Sequence, residues 1–461
     1  MVLSDLGVCK VRKILSILKS NLLAIILVLQ PFMDILAYVQ RDSAVSIAGY
    51  FRLGVTVLIP MYVVFFTKER KRFIAGMSVI VLFCVMHILN CFRVGYINVF
   101  IDVKYMLLVA HAIVLLFSFI FLYEKKEILR QTMAALKIMI AVVAVSYYLS
   151  YFLKSGIYTY IHSEIGWTVW NNTPSVFSVI LSSLFPFAVY FCISTEKKWP
   201  VFLLLPISFM YVMNGTKAAY LTLIGTMLCC VIFIIVEYFI QRKEKFPIFI
   251  CIALSVILVA SIAYYNYSPR LDIDTLNNQS LEKTEENLTD KTFEEALDEK
   301  MIERFGLDRY LSAYKGEKTA ENLANNRLKK IIFGSLVWEE TDTLTKFVGF
   351  EQTKMYLDGE AYDLESDPQA IFFYYGYIGT ALYGLLLLYF LVRLLKQLIT
   401  SFKQSFNLFN FVLFINYGLL MVSTVYTGHL LRRPNSAIYL TIVLLLIYCR
   451  TDSVFKRKIK Q

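Results

Sequence analysis

Apolar runs of about twenty residues recur along the chain, which is the length a helix needs to cross a bilayer core. They predict spans at 22–39, 47–66, 74–92, 105–123, 132–153, 175–194, 200–213, 218–240, 247–264, 369–390, 407–425 and 436–449. The seventh and twelfth are short. Backbone groups in lipid must be paired within their own span, so each run is read as a helix. The expectation is an all-α polytopic membrane bundle of about 12 transmembrane helices. One polar interruption stands apart, at 265–367. It divides the chain into membrane helices at 1–264 (about nine spans), a large and mainly helical extracytoplasmic loop at 265–367, and membrane helices at 368–461 (about three spans). The loop opens with an acidic, aromatic-poor stretch. Its later part carries Phe305, Tyr310, Tyr314, Phe333, Trp338, Phe347 and Phe350, enough apolar anchors to dock onto the bundle. No internal repeat is visible.

Composition agrees. The chain is 58% hydrophobic and 18% charged, against roughly half and a quarter for a soluble domain. The net charge of +11 hides an asymmetry: residues 266–367 hold 23 of the 35 acids and 13 of the 46 bases, a net of −10 against +21 elsewhere. The basic surplus sits in alternate short loops, at 10–13, 68–72, 124–130, 196–198, 241–245, 393–403 and 456–460. Such alternation marks the cytoplasmic side, so both termini are expected there, with the loop outside and the chain multi-pass in the cytoplasmic membrane. The basic N-terminus lacks a small-residue cleavage site after its apolar run, so the first span is expected to be retained. No Lys/Arg stripe with interleaved aromatics appears, and no nucleic acid is expected. The eight cysteines, Cys9 among them, read as small buried hydrophobes. No metal-ligand spacing was found, so neither metal nor cofactor is expected.

Ionisable groups in or beside spans are costly and are candidates for function. Asp34 and Arg52 fall in the first two spans and suit an ion pair or a phosphate grip. His87 and His111 lie mid-span and read as hydrogen-bonded core residues. In YVMNGTKAAYLT an Asn-Gly turn puts Lys217 at a helix mouth, either snorkelling or facing a phosphate. Arg309 sits on an amphipathic stretch, FGLDRYLSAY. The segment TGHLLRRPNSAIYL places His429, Arg432 and Arg433 in a short external loop, suited to an anionic substrate or to headgroups. In ESDPQAIFFYYGYIG, Asp367-Pro368 reads as an N-cap and first helical residue. Asp363, Glu365 and Asp367 alternate, so an extended approach aims them one way. Partial desolvation and like charges should raise the Glu365 carboxyl, as a general base near neutral pH requires.

These segments together resemble the O-antigen ligase and O-antigen polymerase (Wzy-type) membrane glycosyltransferases. LQPFMDIL with AGYFRLG resembles the start of Gram-positive members. NGTKAAYL is similar to a Thr-x-Ser-Arg-Gly-Ala segment, with Lys217 where many members have arginine. FGLDRYL resembles the loop segment with a second arginine, here Arg309, and IIFGS the Gly-x-Gly after it. ESDPQAIFFYYGYIG is similar to the ligase motif ending in Gly-x-x-Gly, here Gly376 and Gly379. Glu365 falls where ligases have histidine, a departure that keeps a base but argues against a lipid A-core ligase. TGHLLRRPNSAIYL resembles the family's final loop and last span.

The resemblance implies metal-independent, inverting transfer of a glycan from a polyprenyl diphosphate. Lys217 and Arg309 would grip the diphosphate, with Arg52 or Arg432 assisting. Glu365 would be the base and Asp363 its alternate, with His429 and Asp34 as further site residues. The implied partners are a polyprenyl-diphosphate-linked oligosaccharide, membrane lipid, a flippase and a chain-length regulator. Abundant Ile, Phe, Tyr, Lys and Asn suggest an AT-rich, low-GC Gram-positive source. A lipopolysaccharide acceptor would then be absent, which favours a capsule or exopolysaccharide polymerase, or a ligase acting on a wall polymer. A lipid-linked oligosaccharide flippase and a membrane scaffold are the rivals from other classes.

Overall fold

The computed structural model describes residues 19–43, 46–171, 173–242, 246–290, 293–316 and 319–451. The basic clusters at 10–13 and 456–460, most of that at 241–245, and Cys9 lie outside them. Among the described residues eleven helices are long and apolar enough to cross a membrane. They answer to eleven of the twelve expected runs. The twelfth is the short seventh run, the apolar helix Trp199–Asn214. Strand is confined, among the described residues, to a two-residue antiparallel hairpin, Tyr356–Leu357 with Glu360–Ala361, and one isolated bridge between Tyr160 and Ile165. The protein is a polytopic all-α membrane bundle.

Helices Pro174–Ile193 and Pro434–Thr451 have 83% of their apolar windows buried, while Arg70–Val94 has 17%. The first two therefore form the centre and the third the lipid-facing rim. Small hydroxyls join the central helices, with Ser182 and Thr222 Oγ atoms 2.9 Å apart and Asn416 donating to the Ser183 carbonyl at 2.6 Å. Such pairs replace the hydrophobic drive that lipid does not supply between helices. A central last helix also fixes what precedes it: the loop Thr427–Arg433 sits over the middle of the bundle end.

The 265–367 block caps that end with short helices, including Pro269–Asp290, Glu299–Phe305, Leu307–Ala313, Asn326–Glu339 and Thr343–Val348. Most of the expected anchors are buried, among them Phe305, Tyr310, Phe333 and Phe350. Trp338 is half-buried, its ring centroid 4.7 Å from that of Phe372 on the following span. Phe347 is exposed and lies edge-on to Tyr377. The span Asp367–Thr400 is broken at Gly376, whose φ of 64° and ψ of −163° leave the helix. A Cβ there would lie 2.6 Å from the Phe347 carbonyl oxygen. Glycine therefore lets Thr343–Val348 seat against the span backbone.

Gly428 makes a closer approach. Its φ is +61°, and an added Cβ would fall 1.3 Å from the Glu365 carbonyl oxygen. Gly428→Ala is expected to lift the final loop off the 363–367 segment. The backbone conformation alone costs about 1–3 kcal/mol for a residue with a side chain. The measurement is the melting temperature of the detergent-solubilised variant. Melting at the parent temperature would show that the loop does not rest on Glu365.

Candidate functional site

The site grows from two chain segments that the fold lays side by side. One is the approach to the long span, 362–367. There Tyr362 and Leu364 are buried while Asp363 and Glu365 are half-exposed, the alternation of an extended chain. The other is the final loop, in which Gly428 and His429 both take positive φ and Pro434 opens the last helix.

Arg432 is the strut between them. Its side chain is 1% exposed. Nε donates to Asp367 Oδ1 at 3.0 Å, and Nη1 to Asp363 Oδ1 at 2.9 Å and to the Tyr105 hydroxyl at 3.1 Å. Nη2 donates to the Leu364 carbonyl. Asp367 does not cap its helix, contrary to the expectation. Ser366 holds the cap position, and no side chain bonds to the helix amides there. Asp367 Oδ2 instead accepts the Leu431 amide at 2.8 Å. Its charge is used to hold the final loop, because Arg432 arrives buried and needs a paired anion. Arg433, beside it, is exposed.

Glu365 faces another way. Oε2 accepts from Arg327 Nε at 2.5 Å and Oε1 from Lys330 Nζ at 2.9 Å. Arg327 also donates to the Tyr426 carbonyl at 2.6 Å. Arg327 and Lys330 stand three residues apart on helix Asn326–Glu339, hence on one face. They occupy the start of that helix, where the dipole disfavours cations. The Asn325 side chain already caps the Arg327 and Leu328 amides, so the two side-chain cations make the anion site, and the chain's own Glu365 fills it. The expected rise in the Glu365 carboxyl is corrected here. Burial pushes it up, but Lys330 and Arg327 pull harder, and the net shift is downward. The sequence reading passed over both cations among many loop bases; their i,i+3 spacing after a capping Asn325 was the available signal.

His429 lies in the same group, its Nδ1 3.4 Å from Arg432 Nη2. Burial and the neighbouring Arg432 and Arg433 push it down to about 4, so it is neutral at ordinary pH. Lys217 opens its helix after the Thr216 cap, as the Asn-Gly turn predicts, and is exposed. It acts on the charge of Asp274, which pairs with Arg270; Arg270 and Arg327 in turn both act on Tyr160.

The other expected residues lie elsewhere. Arg309 pairs with Glu340 at 3.0 Å and with Glu339, at the far end of helix Asn326–Glu339. Ten residues at 1.5 Å each put Glu340 about 15 Å along the axis from Lys330. Arg309 is not part of the Glu365 group. Arg52 and Asp34 form a buried pair at 2.6 Å, with Gln30 as a further partner of Arg52 at 3.3 Å. Their charges satisfy each other within the bundle. His111 is hydrogen-bonded to Thr56 at 2.7 Å, as expected of a core histidine. His87 is a buried, hydrogen-bonded core residue too, bonded to the Val348 carbonyl at 2.9 Å and to Asp102 at 3.1 Å. His87, Cys91 and Asp102 come together, all buried, with potential ligand atoms within 4.8 Å of one another. The carboxylate arrives from the next helix, which sequence spacing did not reveal.

A carboxylate between two cations, beside a buried arginine and a neutral imidazole, can exchange its own charge for that of an incoming phosphate and accept a proton. A family model described as O-antigen ligase like membrane protein matches residues 18–451. No curated protein matches the chain.

Proposed function

The chain belongs to the O-antigen ligase-like membrane protein family, membrane enzymes that process glycans, and from that premise we propose that it is a polysaccharide polymerase. It moves oligosaccharide repeat units from a polyprenyl diphosphate to a growing glycan at the outer face of the cytoplasmic membrane. Both termini are then cytoplasmic and the 265–367 block outside. The observation that carries this reading is Glu365 held between Arg327 and Lys330. The donor diphosphate takes the place of the carboxylate on the two cations, with Lys217 as a further cation for it. Glu365, released, meets the acceptor. Its carboxylate accepts the proton of a sugar hydroxyl as that oxygen bonds to the anomeric carbon. The carbon–oxygen bond to the diphosphate breaks on the opposite face, which inverts the centre. Arg327 and Lys330 meet the charge that grows on the leaving group. Asp363, tied to Arg432 and to the Tyr374 hydroxyl at 2.8 Å, positions the segment and is the alternate base.

The prenyl tail needs an apolar path. A lipid-side groove of about 370 Å³ runs between helices Arg70–Val94, Val99–Leu122 and Asp367–Thr400, past Phe83, Met106, Tyr375 and Gly379. It passes the Gly376 break, with Tyr375 and Gly379 on its wall, and it suits an isoprenoid chain entering sideways. The reaction calls for a flippase to deliver the donor and a regulator of chain length.

The direct test is purified protein in nanodiscs given polyprenyl-diphosphate-linked repeat units, with no nucleotide sugar, and the glycans run on a gel. A ladder of multiples is expected. Unchanged units together with flipping in liposomes would make it a transporter, and transfer only to an added wall polymer would make it a ligase. The exchange of partners also predicts a pH signature. In the free enzyme Glu365 sits below the ordinary carboxyl range, so the acid limb of kcat/KM is low. Donor binding removes its cations and raises it, so the acid limb of kcat falls at higher pH. Coincident limbs would show that Glu365 keeps its cations in the complex.

A further inference from the structure

We propose that His87, Cys91 and Asp102 form a zinc site that fastens the 265–367 block to the membrane bundle. The argument starts with a tautomer. His87 Nδ1 lies 2.9 Å from the Val348 carbonyl oxygen, which only accepts, so Nδ1 carries the proton. In the neutral ring Nε2 then bears a lone pair. That lone pair faces Asp102 Oδ2 at 3.1 Å and Cys91 Sγ at 3.6 Å. Two acceptors and a thiol converge on one point, and a cation there resolves them.

Two of the three separations fit a metal, and all three ligand atoms lie within 4.8 Å of one another. Zinc bonds of about 2.0–2.1 Å to nitrogen, 2.0–2.2 Å to oxygen and 2.3 Å to sulfur, set tetrahedrally, hold nitrogen and oxygen roughly 3.3 Å apart and nitrogen and sulfur roughly 3.6 Å apart. His87 and Cys91 are four residues apart on helix Arg70–Val94, one turn along the same face. Asp102 comes from the first turn of helix Val99–Leu122, after a short connection. The mixed thiolate, imidazole and carboxylate set suits zinc better than a hard cation. The charge balances too: a thiolate and a carboxylate with a neutral imidazole cancel the two positive charges of zinc, as burial demands.

The surroundings match what ligands need. A ligating histidine commonly gives its other N–H to a backbone carbonyl, and ligating carboxylates are themselves hydrogen-bonded. Here Val348 takes the first role. Asp102 accepts the Tyr96 hydroxyl at 2.6 Å and the Gln352 amide at 3.3 Å. Val348 and Gln352 belong to the polar block, and neighbouring Glu351 accepts the Ile97 and Asn98 amides at 2.7 and 3.2 Å. Fixing His87 and Asp102 therefore fixes the block on the spans. No step of the transfer runs through this ion, which holds architecture and not substrate.

The test is metal analysis of the full chain, purified in detergent without a polyhistidine tag or chelator, alongside Cys91→Ser and His87→Gln. Stoichiometric zinc is expected in the parent, with at least a tenfold loss in both variants. The parent reloaded with cobalt(II) should show a thiolate-to-metal charge-transfer band that needs no variant to fold. A chelator should lower the melting temperature of the parent and leave that of Cys91→Ser unchanged. A parent that contains no zinc, takes up neither zinc nor cobalt and melts the same with chelator would overturn the site and leave an imidazolium–carboxylate pair. Zinc retained in both variants would place the ion elsewhere and overturn it equally.

Discussion

Arg432→Gln is expected to be the most damaging single change to the architecture of this protein. The guanidinium is buried and its loss strands two partners, Asp367, fully buried, and Asp363. Removing one member of a buried pair costs about 3–5 kcal/mol, because the other charge remains without water or a counterion. That is a large share of the total stability of a folded domain, about 5–15 kcal/mol. The loop Thr427–Arg433 would also lose its hold on the 363–367 segment, so activity falls with stability. Arg432→Lys should fail nearly as badly, since an ammonium cannot span Asp367, Asp363 and the Leu364 carbonyl from one position. The pair is coupled, so Arg432→Met combined with Asp367→Leu should recover part of the melting temperature that either change loses alone. Arg432→Gln that melts with the parent and makes polymer would remove Arg432 as the strut.

Glu365→Gln should do the opposite: keep the fold and lose the reaction. The side chain keeps its size, and its two partners are partly exposed, with Arg327 53% and Lys330 28% accessible. Pairs of that kind contribute about 0–1 kcal/mol each. The amide cannot accept the acceptor proton, and the loss of a general base is worth about 10²–10⁴ in rate. Arg327→Gln and Lys330→Gln should act on the donor side, raising KM for the lipid-linked unit and slowing departure of the diphosphate. Arg309→Gln should leave transfer within a few-fold, because its partners are Glu339 and Glu340. Full polymer output from Glu365→Gln, at unchanged melting temperature, would exclude Glu365 as the base. A strong defect in Arg309→Gln would draw the donor site toward the other end of helix Asn326–Glu339.

What the sequence by itself determined follows from local rules. The spans were legible because lipid solvates no backbone, so length and apolarity alone define a crossing helix. Runs 22–39 and 47–66 match the helices Leu22–Val39 and Ile47–Phe66. The Asn-Gly turn before Lys217 was readable for the same reason, since it expresses a preference of its own few residues. The pairing of charges was not. Asp363, Glu365 and Asp367 alternate in sequence, yet two of them clamp Arg432 and the third balances Arg327 and Lys330. That division was set by a helix some forty residues upstream and a loop some sixty residues downstream. Arg309 and Arg327 are alike in sequence, and only the direction of one helix separates them. Asp102 meets His87 because two spans pack side by side. Helices arise from short-range backbone chemistry, whereas the sign and height of a carboxyl shift depend on which distant cations the packing brings within a few ångströms.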